Sequence, residues 1–163
     1  MKTFTDSFSQ TWTVALNIGA VKRLKGLLGV DIMNLHEGDP PLISRLGTDV
    51  ILVCDVIFAL VKPQADQLGV TDEQFAAGLG GEAILAAHKA FYEELTSFFQ
   101  NLGRPDMAKA MTTQGRLIEK AVALATAKIE ALNAEKMVET MFAESNPPPT
   151  SGEASTNSPA SSE

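Results

Sequence analysis

From Pro105 to Glu144 the chain has no proline after its first residue and only one glycine, Gly115. Pro105 suits a first helical turn, where its missing N–H leaves no bond unmade. Pro147, Pro148 and Pro149 stop any helix arriving from the N-terminal side. A continuous helix over this stretch would be about 60 Å long. That is long for a domain of this size, and such a helix carries more apolar surface than one short neighbour covers. Met111, Ile118, Ala125 and Leu132 recur every seven residues, and Val122 and Ile129 fill an intermediate seam. The register then slips toward Val138, Met141 and Phe142. Gly115 is a weak point or kink within the pattern, because glycine costs about 1 kcal/mol in a helix interior.

The rest of the chain reads as a hairpin followed by helices. Residues 2–5 and 11–16 are β-prone, and in the second stretch Trp12, Val14 and Leu16 alternate with Thr11, Thr13 and Ala15. A lone hairpin is marginal in water, so its apolar face must pack on helices or on another chain. Asn17 can cap a helix that places Val21, Leu24 and Leu28 on one face and Lys22, Arg23 and Lys25 on the other, with Gly29 at its left-handed end. Asp39-Pro40-Pro41 marks a loop. Thr48 is then expected to cap a strongly apolar helix that ends at Lys62-Pro63, since the residue before proline disfavours helix. That helix is apolar nearly all round and is the candidate centre of the core. Thr71 and Gln74 form a capping box. After Gly78-Leu79-Gly80-Gly81 a longer helix carries the stripe Ile84, His88, Phe91, Leu95 and Phe98. Residues 145–163 contain no aromatic and no branched aliphatic side chain, so ordering them has nothing to offset its entropy cost. The expected fold is mainly α: a hairpin plus helical body over 1–104, a long C-terminal helix over 105–144 and a disordered Ser/Pro-rich tail over 145–163.

Net charge and cysteine usage narrow the function. The formal charge of −7 lacks the basic stripe that phosphate binding needs, and Lys22, Arg23 and Lys25 form the one tight basic cluster. Nucleic acid is therefore not an expected partner. The single cysteine, Cys54, excludes an intramolecular disulfide and a cysteine-based zinc site, and its apolar surroundings suit a small core residue. No signal-peptide pattern opens the chain, and the apolar run at 50–61 is interrupted by Asp55 and too short to span a bilayer, so the chain is expected to stay in the cytoplasm.

No residue pattern points to catalysis, a cofactor or a metal. His36 and His88 are the two histidines, and neither belongs to a His-Glu pair with zinc spacing. His88 suits a half-buried, hydrogen-bonded packing role. The glycines at 78–81 could cradle an anion, but they follow a helical segment and lack a closing Lys-Ser or Lys-Thr, which favours a plain turn. Glu93 and Glu94 are adjacent on a helix and read as a solvated face. Met107, Met111, Met137 and Met141 admit two readings, an adaptable binding surface or core.

One resemblance extends this. Phe4-Thr5-Asp6 with Thr11-Trp12-Thr13-Val14, Ala20-Val21-Lys22-Arg23 with Leu27-Leu28-Gly29-Val30-Asp31, the segment 52–60 with Lys62-Pro63-Gln64-Ala65, and the segment 69–75 together resemble the small tail assembly chaperones of long-tailed bacteriophages and related prophages. The resemblance covers roughly the first hundred residues. It implies a non-catalytic protein that holds the tape measure protein in solution and helps recruit tail tube protein in the host cytoplasm, and that is absent from the mature particle. The candidate partner-binding residues are Trp12, Met111, Ile118, Val122, Ile129 and Leu132. Self-association is expected from the marginal hairpin and the seven-residue repeat. The alternative is a helical adaptor or regulator that dimerises through its C-terminal helix.

Overall fold

The computed structural model describes residues 1–144. Two strands, β1 (Lys2–Thr5) and β2 (Thr11–Val14), precede α1 (Ile18–Leu28), α2 (Leu42–Thr48), α3 (Val50–Leu68), α4 (Asp72–Gly78), α5 (Glu82–Asn101) and α6 (Pro105–Glu144). The mainly helical architecture with an N-terminal hairpin and a long last helix is the one expected; the tail at 145–163 lies outside the described residues. The chain divides into two units, a body of Met1–Ala121 and a second unit of Val122–Glu163. The division falls inside α6 and not after Arg104, because Met107, Ala108 and Met111 are buried in the core of the body.

The strands pair antiparallel, with Phe4 opposite Trp12. Both side chains are buried, and their rings meet Phe75 of α4 edge-on. The two-residue alternation of β2 thus sends Trp12 and Val14 into the core, where β1 packs along α5 and β2 along α3. This supplies the cover that a hairpin needs.

Local chemistry sets the helix ends. Asn17 Oδ1 accepts the amide of Ala20 at 2.9 Å, and Gly29 closes α1 with φ 67°. Thr71 and Gln74 make both bonds of the capping box on α4. At α3 the cap is Asp49, whose Oδ1 accepts from Leu52 N at 2.9 Å. Thr48 is instead the last residue of α2 and donates its hydroxyl to Ser44 O. Helix α2 follows the Asp39-Pro40-Pro41 loop directly, over residues to which the sequence pattern assigned no element before Thr48. It is short, and Leu42 and Leu46 bury one turn against the core.

Helix α3 does not end at Lys62-Pro63. It continues to Leu68 and closes on Gly69, φ 68°. Proline at 63 cannot donate to Ala59 O, and Arg23 of α1 does so in its place, with Nη1 3.1 Å from that oxygen. Lys62 and Asp66 bridge the proline by an ion pair of 2.7 Å. Arg23 is therefore half-buried, whereas Lys22 and Lys25 are exposed, Lys25 in an ion pair with Asp31 at 2.7 Å. Val53, Val56, Ile57, Leu60, Val61 and Ala65 line the buried side of α3, and Cys54 is half-buried at its edge.

Candidate functional site

The glycine run at 78–81 joins two helices and receives the hairpin turn. Asp6 Oδ1 accepts from the amides of Phe8 and Gln10, both at 2.9 Å, and its Oδ2 accepts from Trp12 Nε1 at 2.8 Å. Ser7 N donates to Gly78 O at 2.9 Å, and Ser7 Oγ donates to Gly80 O at 3.1 Å. A Cβ at Gly78 would stand 3.0 Å from Asp6 Oδ2, so the absent side chain is what lets the carboxylate in. Gly81 then turns the chain into α5 with φ 57°. The carbonyls of Gly78 and Gly80 are used in docking the hairpin, and the Leu79 amide donates back to Ala76 O.

Glu93 and Glu94 part company. Glu93 is exposed and lies 3.4 Å from Lys2 Nζ. Glu94 is buried, contrary to the expectation of a solvated face: its Oε1 accepts from Leu16 N at 3.0 Å, and its Oε2 lies 2.8 Å from the Met1 amino group. The reason lies far off in the chain, since the amide of Leu16 just beyond β2 has no strand partner and needs an acceptor. His88 is half-buried as expected, but its Nε2 is buried with no hydrogen-bond partner among the described residues. Burial holds its pKa below the ordinary histidine value. His36 is exposed in the loop before α2. Burial, followed by Asp72 and Asp49, raises the pKa of Asp55 on α3. Among the described residues, no group of three or more His, Cys, Asp or Glu is placed to hold a metal ion, and no helix is long and apolar enough to cross a membrane.

An open groove of about 290 Å³ runs between β2, α1 and α3, lined in part by Thr13, Asn17, Arg23, Pro63 and Gln64. Its polar side chains are largely spent on the backbone. Arg23 serves Ala59 O, while Gln64 accepts from Thr13 N at 3.0 Å and donates to Thr11 O at 2.8 Å.

The candidate binding residues separate by burial. Trp12 and Met111 lie in the core, so neither offers a surface to a partner. Ile118 is half-buried and packed against the core. Val122 is half-buried, whereas Ile129 and Leu132 are 58% and 50% exposed. The four methionines divide in the same way. Met107 and Met111 are core, and Met137 and Met141 are 63% and 64% exposed. Gly115 does not interrupt α6; a Cβ there would sit 3.5 Å from Tyr92 Cβ, an ordinary contact.

Within the second unit the described helical segment is apolar on two sides. At about 100° per residue, Val122, Ala125, Ile129 and Leu132 share one face. Ala123, Ala127, Ala134, Val138 and Met141 lie on roughly the opposite one, with Met137 toward its edge. The slip of register near Lys136 is the point where the larger side chains pass from the first face to the second. A seven-residue count along the seam finds the first face and misses the second, which alanines mark until Met137. Comparison of the chain with known protein families, characterised proteins and solved structures gives no match.

Proposed function

We propose that the protein is a non-catalytic chaperone of phage tail assembly, which binds the tape measure protein in the host cytoplasm, keeps it soluble and helps recruit tail tube subunits. The reading is supported by the resemblance over the first hundred residues and carried by one structural observation. The segment after Ala121 exposes Leu124, Met137, Val138 and Met141, each by half or more. Covering such surface returns about 25 cal/mol per Å² of apolar area. A long helical partner supplies the matching cover, because its own apolar stripe recurs along its length. Alanines at 123, 127 and 134 allow a partner helix to approach closely, and the methionines adapt to successive segments of it.

Co-expression with the tape measure protein tests the reading. The expected result is a soluble complex that persists when the salt is raised, because apolar contacts survive salt and ionic contacts weaken. Met137→Asp together with Met141→Asp should abolish capture and leave the melting temperature of the body unchanged. A tape measure protein equally soluble and uncaptured with and without this chain would sink the proposal.

A further inference from the structure

The face of Val122, Ala125, Ile129 and Leu132 is spaced three, four and three along the helix, the interval of a two-helix seam. Continued by one step it reaches Lys136, and by two it reaches Glu139. Lys128 and Glu135 flank this seam on the same side, each one residue before a seam position. Neither has an opposite charge three or four residues away on its own helix: Lys128 has Leu124, Ala125, Ala131 and Leu132 at those positions, and Glu135 has Ala131, Leu132, Val138 and Glu139. No ion pair among the described residues involves either.

We infer that residues 122–139 pair with the same segment of a second copy of this chain in antiparallel register, with Lys128 of each copy opposite Glu135 of the other. The occupant follows from charge and size. With the two-fold axis between residues 130 and 131, Ile129 packs against Leu132 of the second copy. Lys136 lies over Ala125, whose small side chain leaves room for the lysine stem while the ammonium reaches water. Both otherwise unpaired charges then find opposite partners, twice per dimer. A parallel pair in register does the reverse. It sets Lys136 against Lys136 within the seam, places Lys128 opposite uncharged Asn133 and leaves Glu135 unmatched. The pairing uses the face opposite Val138 and Met141, so it stands independently of what those residues bind.

The test is a charge exchange on the full chain, read by sedimentation equilibrium across the micromolar range. Lys128→Glu alone and Glu135→Lys alone should each weaken the dimer about tenfold, since each replaces two attractions by two repulsions. An equimolar mixture of the two variants should recover the wild-type affinity, because every 128–135 contact between unlike chains is again of opposite sign. Both positions are exposed, and unchanged melting curves will exclude a folding defect. A wild-type chain that stays monomeric throughout, single variants that dimerise like wild type, or a mixture that fails to recover would each overturn the inference. Loss of tape measure capture with the dimer intact would instead count against the function proposed above, which keeps the two outcomes separate.

Discussion

Two side chains in the body carry polar atoms into places that hydrophobic patterning assigns to packing alone. Asp6 accepts from two turn amides with one oxygen and from the Trp12 indole with the other, and so fixes the hairpin turn and the core tryptophan together. His88 is the opposite case, with a buried Nε2 that has no partner among the described residues. Its folded-state pKa lies below that of the unfolded chain, so at neutral pH both states are uncharged there and the group contributes nothing. As pH falls below about 6.5 the unfolded chain takes up the proton more readily, and stability is lost until the folded pKa is reached. Urea midpoints measured from neutral pH down to about pH 5 should therefore fall further for wild type than for His88→Leu. The difference is expected to be small, because the group is only partly buried and solvent screens it. Parallel curves would place no titration penalty on this histidine.

At the scale of the element, α3 shows how one helix repairs a defect with a residue of another. Pro63 removes the donor for Ala59 O, and the Arg23 guanidinium restores it from α1. Arg23→Met should cost about 1–2 kcal/mol with Pro63 present, since it leaves a carbonyl of the helix interior without a donor. In a Pro63→Ala background the alanine N–H takes over that carbonyl, and the cost of Arg23→Met should fall by about 1 kcal/mol. A thermodynamic cycle from four denaturation curves measures this coupling. Additive effects would show that the arginine acts through packing of its stem alone. Helix α6 carries its own lesson, because Gly115 continues the helix at a close but unstrained approach to Tyr92. Tyr92 in turn donates its hydroxyl to Leu46 O at 2.7 Å, which ties α5 to the last turn of α2.

For the whole molecule, the division after Ala121 separates what folds the body from what the body does not use. Every residue of the buried core, from Phe4 to Met111, lies in the first unit. A chain ending at Ala121 should keep a cooperative unfolding transition within about 2 °C of the full chain, and it should lose both self-association and partner capture. Circular dichroism and light scattering on the two lengths decide it. A body that fails to fold alone would show that residues after 121 support the core.

The capping chemistry of α1 and α4, the alternation of β2 and the proline-bounded length of α6 were readable from sequence, because each depends on neighbours a few residues apart. Asn17, Thr71, Gln74 and Pro105 act within one helical turn, and Trp12 and Val14 follow the pleat of their own strand. What only the tertiary structure decided were matters of distant partners. Pro63 stays inside a helix because Arg23 is at hand, Glu94 is buried because Leu16 N needs an acceptor, and Gly78 admits Asp6 from the hairpin turn. The same limit applies to the candidate surface. Spacing placed Met111, Ile118, Ile129 and Leu132 on one seam, yet burial alone distinguishes Met111, which belongs to the core, from Ile129 and Leu132, which face water. A heptad pattern records which side chains share a face of a helix, and it carries no information about where along that helix the rest of the chain stops covering it.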